Sequence, residues 1–181
     1  ILNTIAKLFS ISGKPEITVE ANPESALAPF WLADVKKAGV NRLSLGVQSL
    51  NDYNLQILGR LHTAKEACTA YDLARKAGFG AVSLDMMWGL PGEKKPQQQS
   101  AWLKELHALV NLQPDHVSAY GLSIEEDSNL AKRLARNEIV LSDEKSQGKM
   151  FMHGAELLES SGLLQYEISN FAKLGFACKH N

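Results

Sequence analysis

Two carboxylates and two amides stand in this chain where chemistry is expected. Glu20 and Asp85 lie inside runs that are otherwise apolar or β-branched, Glu16-Ile-Thr-Val-Glu-Ala21 and Ala81-Val-Ser-Leu-Asp-Met86. Burying a carboxylate unpaired is costly, so each requires a partner: a ligand hydroxyl, a ligand amine or the cation of Arg60. The plain alternative is a pairing with neighbouring side chains or a helix cap. Asn22 follows the first run, and Gln48 and Ser49 end a third, Arg42-Leu-Ser-Leu-Gly-Val47. Arg60, just after Gly59, reads alone as a surface arginine; it gains interest only as a fork for a carboxylate or phosphate.

The elements that must position these groups are legible from periodicity. Lys37-Ala-Gly-Val-Asn-Arg-Leu-Ser-Leu45 and Lys76-Ala-Gly-Phe-Gly-Ala-Val-Ser-Leu84 repeat one design: a helix end, a glycine stop and a strand core. Residues 1 to 9 have helical spacing, Ser10 to Lys14 read as a turn, and Glu16 to Ala21 read as a strand closed by Pro23. A helix from about Pro29, with Trp31 on its inner face, leads to the strand Arg42 to Val47. Asn51 to Leu58 is a short helix. Thr63 and Glu66 have capping-box spacing and open a helix to about Ala77. The strand Ala81 to Met86, a helix around Trp102 to Val110, the strand His116 to Gly121, a short helix at 129–137 and a helix from Ser142-Asp-Glu144 to Ser160 follow. Tyr166 to Ser169 is expected as the last of five strands, with no hairpin signal. Alternating β and α implies a parallel sheet, and the apolar strand cores imply burial on both faces. An open doubly wound sheet and a (β/α) barrel fit equally. In either, ligands bind at the carboxyl ends of the strands. Glu20, Asn22, Gln48, Ser49, Asp85, Tyr120, Ser123, Glu125, Ser169 and Asn170 are therefore expected around one mouth.

Composition excludes several classes. The 181 residues carry a net charge of −1, which gives no bulk attraction to nucleic acid or an anionic membrane. No apolar run is long enough to span a bilayer, and no signal segment is visible. Two cysteines, Cys68 and Cys178, make neither a disulfide framework nor a metal-spacing motif, so a reduced, cytoplasmic setting is expected. Cys68 reads as a buried small residue, and Trp31 and Trp102 as core. His62, His107, His116 and His153 lack ligand spacing. Cys178-Lys-His180 has metal chemistry, but no metal ligand set is assigned within the chain. Phosphate loops, serine elbows and zinc motifs are absent. Both ends look cut, as in a piece of a longer protein.

Several stretches together carry a resemblance. They are Thr18-Val-Glu-Ala-Asn-Pro-Glu24, Gly39-Val-Asn-Arg-Leu-Ser-Leu-Gly-Val-Gln-Ser49, Gly59-Arg60, Leu84-Asp-Met-Met-Trp-Gly-Leu-Pro-Gly92, His116-Val-Ser-Ala-Tyr120, Gln165-Tyr-Glu-Ile-Ser-Asn-Phe-Ala172 and Cys178-Lys-His-Asn181. In this order they resemble the HemW heme chaperones, a radical S-adenosylmethionine family similar to oxygen-independent coproporphyrinogen III oxidase. The resemblance implies an α/β fold: a partial TIM-type (β/α) radical-SAM barrel of parallel strands, lacking the first strands. Residues 1–181 would be the central to C-terminal part of that barrel, without the N-terminal cluster-binding segment and the C-terminal domain. It implies S-adenosylmethionine held by Glu20, Gln48, Arg60 and Asp85. It also implies a [4Fe-4S] cluster whose cysteines lie outside this chain, and heme, with His180 opening a heme-linked motif. Implied partners are heme and heme-acceptor proteins, with peripheral membrane contact and no nucleic acid. The implied activity is heme binding and transfer; the alternative is oxidative decarboxylation of coproporphyrinogen III. Trp88 departs from the family's usual Tyr, and the chain alone is expected to be redox-silent.

Overall fold

The computed structural model describes residues 2–10 and 13–180. Ile1, part of the expected Ser10–Lys14 turn, and Asn181 lie outside the described residues. Helix α1 (Leu2–Leu8) precedes β1 (Thr18–Ala21). Pro23 does not merely close the strand. It is the first residue of a short helix, α2 (Pro23–Leu27), where its missing N–H costs nothing. Helix α3 (Trp31–Lys37) leads into β2 (Arg42–Gln48). Helices α4 (Asp52–Ile57) and α5 (Ala64–Lys76) follow, the second opened by the expected Thr63–Glu66 capping box. Strand β3 (Ala81–Trp88) runs two residues beyond the expected end. Then come α6 (Gln99–Val110), β4 (His116–Gly121), α7 (Asn129–Ala135) and α8 (Glu144–Ser160), the last capped by Asp143, whose carboxylate accepts from Ser146 N at 2.7 Å.

The chain's end corrects the expectation of a fifth parallel strand. Residues 164–172 form a hairpin, β5 (Leu164–Glu167) and β6 (Asn170–Ala172). The sheet order is β1-β2-β3-β4-β6-β5, with β1 to β4 parallel and β6 antiparallel to both its neighbours. Its Ile168-Ser169 turn has none of the usual glycine or Asn-Gly chemistry. Side chains hold it instead: Gln165 Nε2 donates to Ile168 O at 2.9 Å, and Glu167 Oε2 accepts from Ser169 N at 3.2 Å.

The two repeated units lie side by side in register, Ser44 opposite Ser83 and Leu45 opposite Leu84. Each preceding glycine has a positive φ, 105° at Gly39 and 76° at Gly78, a conformation that makes glycine the residue of choice at a helix stop.

Strand order settles the choice between the two parallel architectures. The parallel strands follow sequence order, with no reversal. The apolar residues all face one way: Leu43, Leu45, Val47, Val82, Leu84, Met86 and Val117 pack in one cluster with Ala70 and Ala74 of α5, Trp102 and Leu106 of α6, and Leu158 of α8. The sheet is not sandwiched between apolar layers as the strand cores suggested. Its other face carries Thr18, Glu20, Arg42, Ser44, Ser83, Asp85, His116, Ser118 and Tyr120, alternating with the apolar set as pleating requires. Helices outside and a polar concave face inside make a partial TIM-type barrel wall. Trp102 is core as expected, its Nε1 donating to Met150 O at 3.1 Å, whereas Trp31 is only partly buried at the margin. Cys68 is half-buried on α5 rather than buried. Among the described residues no helix is long and apolar enough to cross a membrane.

Candidate functional site

The sequence-predicted rim residues separate into three groups. The first gathers at the carboxyl ends of β1 and β2. Asn22 occupies the N-cap position of α2 but makes no side-chain cap; its Oδ1 accepts instead from Arg60 Nη1 at 3.1 Å. Gln48 ends β2 with φ at 66°, a left-handed backbone that costs a non-glycine residue roughly 1 kcal/mol. Its amide lies over Gly46: a Cβ there would come within 2.8 Å of Gln48 Nε2 and 3.3 Å of Asn22 Oδ1. The absent side chain at Gly46 thus makes room for two amides beside the Arg60 fork. Arg60, a surface arginine when read alone, is partly buried at this rim and forms no salt bridge among the described residues.

The second group lies on the inner face. Glu20 and Asp85 line a cavity of about 120 Å³ with Ser44, Ser83, Ser118 and Tyr120, and the same cavity continues to Arg42, His116, Cys178 and His180. Glu20 is exposed, so its burial was over-read from its apolar neighbours. Asp85 fulfils the expectation of a partner: Ser44 Oγ donates to both its oxygens at 2.9 and 3.1 Å, and Ser83 Oγ stands 3.5 Å away. Burial raises the Asp85 carboxyl to about 6; Ser44 and Ser118 lower it, the negative charge of Glu20 raises it, and Ser83 lowers it. A carboxyl at this value holds or releases a proton near neutrality. Asn170 enters through the hairpin rather than through a parallel strand end. It pairs with Ser118, its Nδ2 donates to Glu167 at 2.9 Å, and its buried Oδ1 has no partner among the described residues.

The third group does not belong to the mouth. Ser49 is fully buried and pairs with Glu105 of α6. Glu105 also accepts from Leu50 N at 2.8 Å, Asn54 Nδ2 at 3.0 Å and Gln97 Nε2 at 3.4 Å. This network anchors the loop behind Gln48. Ser123 and Glu125 are exposed on the loop after β4.

Sequence reasoning passed over the amino end of the sheet. There the segment after β6 crosses beneath the strands: Arg42 Nη1 donates to Phe176 O at 2.9 Å, and Glu16 Oε1 accepts from Lys179 N at 2.9 Å. His116, set aside for lack of ligand spacing, is buried at the centre of this end. Its Nδ1 bonds Ser83 Oγ at 2.6 Å and its Nε2 bonds Tyr166 Oη at 2.8 Å. Burial and the nearby Arg42 cation depress its pKa to about 4, against a smaller pull from Glu16. His62 is also buried, between Glu24 (3.2 Å) and Val47 O (3.1 Å). Cys178, Glu16 and His180 converge here, although Cys178 and Glu16 are 162 positions apart.

Parallel strands in sequence order, helices on the outer face and a polar inner face define this chain as part of a (β/α) barrel. The chain belongs to the radical SAM superfamily, whose family model matches residues 1–99. It is 39% identical over its whole length to the mitochondrial radical S-adenosyl methionine domain-containing protein 1 of Bos taurus, covering 40% of that protein. It is likewise 39% identical to the heme chaperone HemW of Haemophilus influenzae, covering 45% of it. The chain thus spans less than half the length of these curated relatives. In structure it is similar to coproporphyrinogen III oxidase from Escherichia coli, with a TM-score of 0.79, 21% identity, and coverage of 96% of this chain and 39% of that one.

The superfamily implies S-adenosylmethionine and an iron–sulfur cluster. The rim fits the first group: a carboxylate fork without an acidic partner (Arg60), acceptors for hydroxyls or an amine (Glu20, Asp85), and an amide over a glycine cradle (Gln48). The chain does not fit the second. Its two cysteines sit on α5 and at the amino end of the sheet, and neither arrangement supplies the thiolates such a cluster takes.

Proposed function

We propose that this chain is the S-adenosylmethionine-holding wall of a heme chaperone that binds heme and delivers it to acceptor proteins. The hydrogen bond from Arg60 to Asn22, with Gln48 beside it over Gly46, carries the reading. Asn22 forgoes its cap to orient a guanidinium, an arrangement that serves a ligand better than it serves the helix. Arg60 would grip the methionyl carboxylate, while Glu20, Gln48 and Asp85 would accept from or donate to the ribose hydroxyls and the amino group. The cofactor supplies one-electron chemistry when paired with a reduced cluster; these side chains bind and orient it.

The heme reading, and with it the notion of acceptor proteins, draws on the relatives named heme chaperone; the cytoplasmic setting draws on cysteine usage. Two free cysteines suit a reducing compartment, which the cytoplasm and the mitochondrial matrix both provide. Peripheral membrane contact belongs to the same reading.

The test uses the full-length protein carrying this chain. Arg60→Ala is expected to weaken S-adenosylmethionine binding at least tenfold by calorimetry, with the melting temperature unchanged. Unaltered affinity would overturn the cofactor assignment. A heme titration followed by its absorption band separates the two activities. Heme uptake without porphyrinogen decarboxylation supports the chaperone; decarboxylation without heme uptake would replace it by the oxidase.

A further inference from the structure

We infer that Glu16, Cys178 and His180 form a binding site for a single divalent ion of the zinc class toward the amino end of the sheet, on the same polar face that carries Glu20 and Asp85. One oxygen, one sulfur and one imidazole nitrogen lie within 4.8 Å of one another. Cys178 Sγ is 3.3 Å from Glu16 Oε1 and 2.9 Å from His180 Nδ1. Ligand bonds of about 2.0–2.3 Å around a tetrahedral ion place its donor atoms roughly 3.5 Å apart, so a small adjustment closes these three on one centre.

The surroundings are built rather than accidental. Cys178 is 7% exposed. Its backbone N–H donates to Tyr166 Oη at 3.1 Å, which fixes the turn that aims the sulfur. Glu16 divides its two oxygens: Oε2 faces Arg42 at 3.7 Å, and Oε1 accepts from Lys179 N and points to the sulfur. Outer contacts of this kind orient ligands in known metal sites. Residue 16 is brought to residues 178 and 180 only because the segment after β6 recrosses the strand ends.

The donor set selects the occupant. Calcium and magnesium take oxygen ligands, whereas thiolate with imidazole favours zinc or its neighbours. Heme iron offers one axial position on each face, so three donors converging from one side suit a bare ion instead. In this reading His180 serves the ion rather than heme. Binding forms sulfur–, nitrogen– and oxygen–metal bonds and releases the Cys178 thiol proton to solvent, with no change of oxidation state. The fourth position stays open to water or an added ligand.

The test is cobalt and zinc titration of full-length protein with its iron–sulfur cluster already assembled. Wild type and Cys68→Ser are expected to bind one zinc per chain beyond iron, and to give a thiolate-to-cobalt charge-transfer band. Cys178→Ser should lose that band, and His180→Ala and Glu16→Gln should weaken zinc at least tenfold, with circular dichroism unchanged. His180 is exposed, so its variant keeps the measurement meaningful if the buried Cys178→Ser misfolds. Absence of the band in wild type, its retention in Cys178→Ser, or its loss on adding heme would each overturn the site. Heme uptake without cobalt displacement leaves the ion site standing, whatever becomes of the chaperone reading.

Discussion

The carboxyl rim of the sheet and its amino end are built in different ways. At the rim, Asn22, Gln48 and Arg60 come from consecutive β–α units, and each is delivered by the strand or helix immediately before it. At the amino end, Glu16, Arg42, His116 and Cys178 are joined by a segment that returns from the far edge of the sheet. The ends also differ in charge chemistry. Asp85 is held with its carboxyl easier to protonate than usual, and His116 with its imidazole harder to protonate. One molecule therefore contains two opposite pH responses on a single polar face, linked through Ser83, which approaches both groups. Local delivery makes a site readable along the chain; long-range return makes one that only the folded sheet reveals.

The sharpest way to break this contrast is at Glu105, which supports the rim from behind. Glu105→Ala strands Ser49, Leu50 N and Asn54 without their acceptor, and a loss of about 4 kcal/mol is expected in denaturant unfolding. A loss below about 1 kcal/mol would mean that the rim does not depend on this network.

At the amino end, His116 has a folded pKa depressed from 6.5 to about 4. Its stabilisation is present above pH 6.5 and is lost as pH falls through about 4, on the order of 3 kcal/mol. The stability difference between wild type and His116→Gln should shrink by that amount across this window.

Asp85 carries the opposite sign. Its folded pKa is raised from 3.8 to about 6, so its favourable contribution is complete below 3.8 and lost as pH rises through 6. Asp85→Asn should therefore gain on wild type by on the order of 2 kcal/mol between pH 4 and 7. If both variants shift in the same direction, the two ends are not opposed.

The smallest effect is expected at Gly46. Gly46→Ala would push the Gln48 and Asn22 amides from the cradle, weakening S-adenosylmethionine binding about tenfold, or about 1.4 kcal/mol. Unchanged binding would remove the cradle from the cofactor reading.

The barrel wall was legible because periodicity and glycine stops are local signals. The repeat of Lys-Ala-Gly and Ser-Leu marks two strands of one design, which the sheet places side by side in register, and the capping box at Thr63 fixed the start of α5. The strand-end rule brought out Gln48 and Asp85 but could not see side-chain facing. Ser49, one residue beyond Gln48, turns outward to Glu105. The β5–β6 hairpin stayed hidden because its turn is held by Gln165 and Glu167 side chains rather than by turn-forming residues. Missing the reversal also concealed the amino end, since only an antiparallel β6 returns Cys178 to Glu16. Arg60 stood out by resemblance, not by pattern; its contact with Asn22 depends on the path of α4, which no spacing in the sequence states.

The paired units of β2 and β3 have a consequence for engineering. Both share one stem up to Leu45 and Leu84, then diverge, Gly46-Val-Gln on one and Asp85-Met-Met on the other. The stem supplies register and apolar footing; the tip supplies the polar groups that differ between the two strands, Gln48 and Asp85. The tips differ on a common mount, but each is fitted to it: Gly46 by the amides above it, Gln48 by its left-handed backbone and Asp85 by its bonds to Ser44, so a redesign must keep these three constraints.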